Sequence, residues 1–169
     1  MSADALSLDD DDKSLTIKLV SKEGKSFVID RSYVGLSHLI DVSLESDVLA
    51  PEIPLPSVKS STLELVISYL QHHKGKSPPD IEKPLRSKNM VDVCYDKWDA
   101  TFIDNVAEKR HVLYDLTIAA NYLDCKPLLM LSCAKIASLI KGQPLTNIGK
   151  ILKNDAPKQE SVDLKEEKK

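Results

Sequence analysis

The sequence predicts an α+β fold: a small sheet with a helix in the first third, then a run of helices. Three observations predict it. Apolar and polar residues alternate from Leu15 to Val20, as a half-buried strand requires. Phe27-Val28-Ile29 repeats the strand composition after the turn chemistry of Ser21-Lys22-Glu23-Gly24. From Val112 onward the apolar period changes from two to that of a helix, with Val112, Leu113, Leu116, Ala120 and Leu123 on one face.

Composition sets bounds. The chain has 169 residues, 42% hydrophobic and 29% charged, which suits one ordinary folded domain with tails. The net charge of -3 argues against nucleic acid as a partner, since such proteins carry a basic face. No apolar run has the length of a membrane span, and the acidic start is unlike a secretory or transit peptide. The three cysteines, Cys94, Cys125 and Cys133, are unremarkably spaced and read as reduced thiols of a cytosolic or nuclear protein.

Residues 1–13 carry four consecutive acids, Asp9 to Asp12, and too little apolar surface to fold. That run before Lys13 also resembles an enteropeptidase site and carries no functional reading. Leu15 to Val20 and Phe27-Val28-Ile29 make two strands. Val34, Leu36, Leu39 and Ile40 predict a helix between Val34 and Leu44, weakened at its start by Gly35. Ile53-Pro54-Leu55-Pro56 fits only an edge strand or extended segment, because each proline removes a ladder donor.

Ser61-Thr62-Leu63-Glu64 has capping-box spacing, and Leu63, Val66, Ile67 and Leu70 continue as a helical core stripe. His72 and His73 point in different directions on a helix. The pair reads as a solvated helix end rather than a metal site. Residues 75–96, rich in breakers, read as a long exposed loop. Asp96 is placed to cap a short helix with Trp98, Phe102 and Val106 inward.

Asn121 and Tyr122 break the apolar pattern at the end of the next helix. Pro127 fits the first turn of another, which runs through Leu128, Leu129, Leu131, Ile136, Leu139 and Ile140 to a stop at Gly142. A short helix around Asn147 to Leu152 closes the folded part. Residues 153–169 are a charged tail with little to bury, and Val162 and Leu164 offer a partner little anchorage.

No catalytic constellation is visible. There are five glycines and no glycine-rich phosphate loop, and no serine sits in a nucleophile elbow. Cys125 and Cys133 fall in or beside helical core pattern, where a thiol behaves as a small hydrophobe. Their spacing is unlike zinc-ligand pairs, so no metal or cofactor is expected. Function must then rest on surfaces. Leu128-Leu129-Met130-Leu131 covers more than one helix face, which implies burial all round or a face awaiting a partner.

The stretch Leu113-Tyr114-Asp115-Leu116-Thr117-Ile118-Ala119-Ala120-Asn121-Tyr122-Leu123-Asp124 closely resembles the S-phase kinase-associated protein family. So do Leu128-Leu129, Cys133 and Ile140-Lys141-Gly142, with Ile17-Lys18-Leu19, Pro54-Leu55-Pro56, His72-His73-Lys74 and Trp98-Asp99 upstream. The resemblance runs in order from Leu15 to Leu152. It implies a POZ (BTB)-type domain over residues 14–124 and a C-terminal helical extension over 125–152.

It further implies a non-catalytic adaptor of SCF ubiquitin ligases, cytoplasmic and nuclear, linking a cullin to F-box proteins, with weak self-association when unpartnered. By resemblance Asn121 and Tyr122 face the cullin. Leu113, Leu116, Leu129, Cys133, Ile136 and Ile140 face the F-box, where helix docks on helix through apolar anchors.

Two departures stand out. Ala156 replaces the aromatic that the family carries after the Asn-Asp pair, and no tryptophan follows Trp98. Losing an aromatic hot spot costs roughly 2 kcal/mol, about thirtyfold in affinity. Pro144 is offset by one position from a family proline that some unicellular eukaryotes hydroxylate and glycosylate, so that modification is not carried over.

Two other classes compete. One is an elongin-C-like POZ adaptor for another receptor class, which the helices beyond Pro127 argue against. The other is a small enzyme using Cys125 or Cys133.

Overall fold

The computed structural model describes residues 16–46 and 52–153. Expectations for residues 1–13, Leu15 and the tail beyond Lys153 lie outside the described residues.

Strands β1 (Thr16–Val20) and β2 (Ser26–Asp30) pair antiparallel, with Ile17 opposite Ile29 and Leu19 opposite Phe27. Strand β3 (Glu52–Pro54) runs parallel to β1, giving the order β2-β1-β3 with β3 at an edge. The alternation is realised: Ile17 and Leu19 are buried, whereas Thr16 and Lys18 face solvent. The edge position of β3 accommodates Pro54, which has no N–H to give a further strand.

The helix expected between Val34 and Leu44 is in fact two pieces. A 3-10 helix (Arg31–Leu36) ends at Ser37, whose extended backbone separates it from α1 (His38–Ser46). Ser37 is fully buried, and its hydroxyl donates to the Leu123 carbonyl at 2.7 Å while accepting from the Ile40 N–H at 3.4 Å. A tertiary hydrogen bond therefore ends the helical run where local pattern does not.

Helix α2 (Ser60–His73) starts two residues earlier than its capping-box spacing implies, and the box does not form. Glu23, from the β1–β2 turn, accepts from both the Ser60 N–H at 2.7 Å and the Ser60 hydroxyl at 2.8 Å. Glu64 instead pairs with Lys25 at 2.6 Å. A carboxylate at a helix N-terminus is favourable whichever segment supplies it.

The 75–96 segment is not wholly exposed loop. It carries a short helix, α3 (Met90–Val93), whose Met90 is buried. Helix α4 (Lys97–Ala107) begins as expected, with the Asp96 carboxylate accepting from the Trp98 N–H at 2.8 Å. Its inward face is Ala100, Ile103 and Val106, while Trp98 and Phe102 are only half-buried. Helices α5 (Arg110–Tyr122) and α6 (Lys126–Ile140) pack against each other and, with α4 and α2, close the core over the sheet. Pro127 occupies the first turn of α6, and Gly142 follows its end at φ +68°. Helix α7 (Leu145–Ile151) buries no residue. It is held by hydrogen bonds from Arg110 to the Lys150 and Ile151 carbonyls and from Tyr114 to the Leu152 carbonyl.

Candidate functional site: the α5–α6 corner and the outer face of α6

The corner between α5 and α6 is three residues long, Leu123 to Cys125. The Cys125 N–H bonds the Ala120 carbonyl at 2.9 Å and the Asp124 N–H bonds the Asn121 carbonyl at 3.1 Å. These are the two bonds of a Schellman ending, with Asp124 at φ +47° in the left-handed position that glycine usually takes. The corner is also tied to α1. Leu123 offers its carbonyl to the Ser37 hydroxyl at 2.7 Å and to the Leu39 N–H at 3.3 Å.

Just before this corner, Asn121 is exposed and Tyr122 half-buried. Ile118, one turn before Tyr122 and on its side of the helix, is 63% exposed. The sequence reading does not single out Ile118. The available signal was its position off the Leu113, Leu116, Ala120 and Leu123 stripe in an otherwise apolar helix. Together the three residues form an amphipathic patch.

Beyond the corner, α6 divides into two faces. Leu128, Leu131, Ser132, Ala134 and Ser138 are buried against the body. Leu129, Ile136 and Ile140 are half-buried on the outer side, and Cys133 among them is exposed. At 100° per residue these four residues fall within one narrow sector, so the stripe is continuous.

Leu113 and Leu116 correct the expectation. Both are fully buried in the core, where α5 meets the rest of the body, and neither presents surface to a partner.

Cys133 departs from the core-thiol reading but not from its surface assignment: it is exposed. Cys125 is buried, and desolvation pushes its thiol up to about 11. Desolvation pushes Cys94 up to about 11 as well, with Asp99 adding to it.

His73 overturns the reading of a solvated helix end, whereas His72 keeps exposed surface. His73 Nε2 lies 2.8 Å from Asp99 Oδ1, and the two side chains are only 8% and 6% exposed. His72 stacks on Trp98 with ring centroids 3.9 Å apart and hydrogen-bonds Asp96 at 2.7 Å. The histidines therefore bolt the end of α2 to the start of α4. Among the described residues, no group of three or more His, Cys, Asp or Glu side chains is placed to hold a metal ion. Among the same residues, no helix is long and apolar enough to cross a membrane.

A three-stranded sheet under a helical cluster, prolonged by α6 and α7, defines a protein of the POZ class with C-terminal helices. The Skp1 family, tetramerisation domain, matches residues 15–75. The chain is 38% identical over 161 residues to the S-phase kinase-associated protein 1 homolog of Tetrahymena thermophila, covering 94% of this chain and 95% of that protein. It is 34% identical over 157 residues to suppressor of kinetochore protein 1 of Schizosaccharomyces pombe, covering 89% and 94%. It is 35% identical over 158 residues to SCF ubiquitin ligase complex protein SKP1b of Dictyostelium discoideum, covering 89% and 92%. The chain belongs to the S-phase kinase-associated protein 1 family.

Proposed function

We propose that this protein is a non-catalytic adaptor of an SCF-type ubiquitin ligase, joining a cullin to F-box substrate receptors in the cytoplasm and nucleus. The observation that carries the reading is the outer stripe of α6. Leu129, Cys133, Ile136 and Ile140 leave apolar surface open along about three turns of the outer side of the helix, with Leu129 and Ile136 also resting partly on the core. Such a stripe fits an amphipathic helical partner, here the F-box. Asn121 and Tyr122, extended by Ile118, are the cullin-facing patch. Tyrosine combines large contact area with little side-chain entropy to lose.

Two observations weigh against the competing classes. Helix α6 continues well past Pro127 to Ile140, which an adaptor ending near the corner would lack. The buried Cys125 has a thiol pushed away from the thiolate form that a nucleophile needs.

The test is reconstitution with a cullin N-terminal domain and an F-box domain. Asn121→Lys plus Tyr122→Lys is expected to abolish cullin binding. Both side chains reach solvent, so the fold and F-box affinity should persist. Two lysines buried without partners penalise the complex alone. Unchanged cullin affinity in a titration, with a normal circular dichroism spectrum, overturns the cullin assignment.

A further inference from the structure

We propose that residues 80–88 form a strap along α6 that converts its apolar stripe into a basic-rimmed notch. The notch takes an apolar anchor of the F-box partner together with a neighbouring carboxylate. The proposal rests on the F-box reading above and adds to it a rule of partner choice.

The strap is built in. Ile81 and Leu85 are half-buried against the core, so the segment is held by apolar contact and not merely tethered at its ends. At the start of α6, Lys83 Nζ lies 3.7 Å from Met130 Sδ. At its far end the Lys141 ammonium donates to the Leu85 carbonyl. Beyond it, a Cβ at Gly142 would stand 3.2 Å from Lys88 Nζ. These contacts place the segment beside α6 from its first turns to just beyond its end.

Where the strap meets the outer stripe it leaves a notch lined by Asp80, Ile81, Lys83, Lys126, Leu129 and Met130. Ile81, Leu129 and Met130 make an apolar floor, and the rim carries two ammonium groups against one carboxylate. Lys83 and Lys126 are exposed. A thioether is a weak acceptor, so the Lys83 ammonium keeps most of its hydrogen-bonding capacity. Farther along the strap, Glu82 is paired with Arg86 at 2.9 Å, and Lys88 and Lys141 extend the positive edge. Leu129 belongs both to the notch and to the stripe, so an anchor seated there lies in the same partner that covers Cys133 and Ile136. The charge on the rim selects the anchor's neighbour: an acid gains, and a base is repelled.

The test uses two F-box domains. One carries glutamates beside its apolar ridge; the other carries glutamine at the same positions. Both are titrated against the wild-type protein and against Lys83→Glu plus Lys126→Glu. The glutamate form is expected to lose about tenfold or more in affinity on charge reversal, and the glutamine form less than about threefold. The milder Lys83→Gln plus Lys126→Gln pair is expected to fall between, and an unchanged thermal midpoint for both variants shows that the fold is kept. Added salt should weaken only the glutamate complex. Equal losses for the two domains, or no loss for either, overturn the notch while leaving the F-box reading standing. If neither domain binds the wild-type protein, the F-box reading falls and the notch with it.

Discussion

Cys133→Asp and Leu116→Ala should separate binding surface from core cleanly, since both positions belong to the set that the family resemblance places on the F-box side. Cys133 is exposed in the middle of the α6 stripe. A carboxylate there remains hydrated in the free protein, so the change in stability should stay within about 0.5 kcal/mol. In the complex the same carboxylate would be covered by an apolar helix. An unpaired buried charge costs about 3–5 kcal/mol, or a loss of more than a hundredfold in affinity.

Leu116 is fully buried. Its truncation removes three heavy atoms from a packed site and leaves a cavity, which costs about 2–5 kcal/mol. For a chain of this size that is a drop of roughly 5–15 °C in midpoint. Binding measured well below that midpoint should be nearly unchanged, because Leu116 presents no surface. The assay is paired: thermal unfolding by circular dichroism, and F-box affinity by titration. Cys133→Asp should lose binding and keep its midpoint; Leu116→Ala should do the reverse. Wild-type affinity in Cys133→Asp would refute the placement of the partner on this face.

Tyr69→Phe should be neutral or stabilising by up to about 2 kcal/mol, because the Tyr69 hydroxyl is buried with no hydrogen-bond partner among the described residues. A loss above about 1 kcal/mol in chemical denaturation would show that the hydroxyl is satisfied. Alkylation of the native protein should label Cys133 first and Cys125 slowest, and F-box binding should protect Cys133. Fast labelling of Cys125, read by mass spectrometry, would contradict its burial. Glu23 and Asp96 are both held below their ordinary values, Glu23 first by the Ser60 hydroxyl and Asp96 first by the hydrogen bond from His72. Their stabilising contributions are therefore complete above 4.5 and 3.8 and are lost as pH falls through the lower folded values. Glu23→Gln should flatten the acid limb of the stability curve, and an unchanged limb would mean that Glu23 does not cap α2.

The elements were legible where the cause is local. The alternation in β1, the Asp96 cap, Pro127 at the start of α6 and Gly142 beyond its end all depend on near neighbours. What stayed hidden depends on contacts distant in sequence. Glu23 caps a helix that begins 37 residues later, in place of the local box. Ser37 divides a helical run by reaching Leu123, 86 residues on. His73 and Asp99 bury each other across 26 residues, and neither type favours burial alone. The division of the apolar set follows the same rule. Periodicity shows that α5 and α6 each carry an apolar face, but only their packing decides that Leu113 and Leu116 face inward while Leu129, Ile136 and Ile140 keep an outer side.

On the adaptor reading proposed above, holding two partners at once requires a fixed mutual geometry, and the α5–α6 corner supplies that constraint. Asn121 and Tyr122 end one helix, and Leu129 opens the outer stripe of the next only seven residues after Tyr122. A flexible connection would let the partners swing. Here the corner closes through its own Schellman bonds and is pinned to α1 by the buried Ser37 hydroxyl. Buried hydrogen bonds of this kind contribute about 1 kcal/mol each, yet an unsatisfied Leu123 carbonyl would cost more than the bond is worth. The corner's stiffness thus comes from polar groups that must stay paired. A shift of α6 against α5 would have to break them together, so the two surfaces are coupled through one hydrogen-bonded corner.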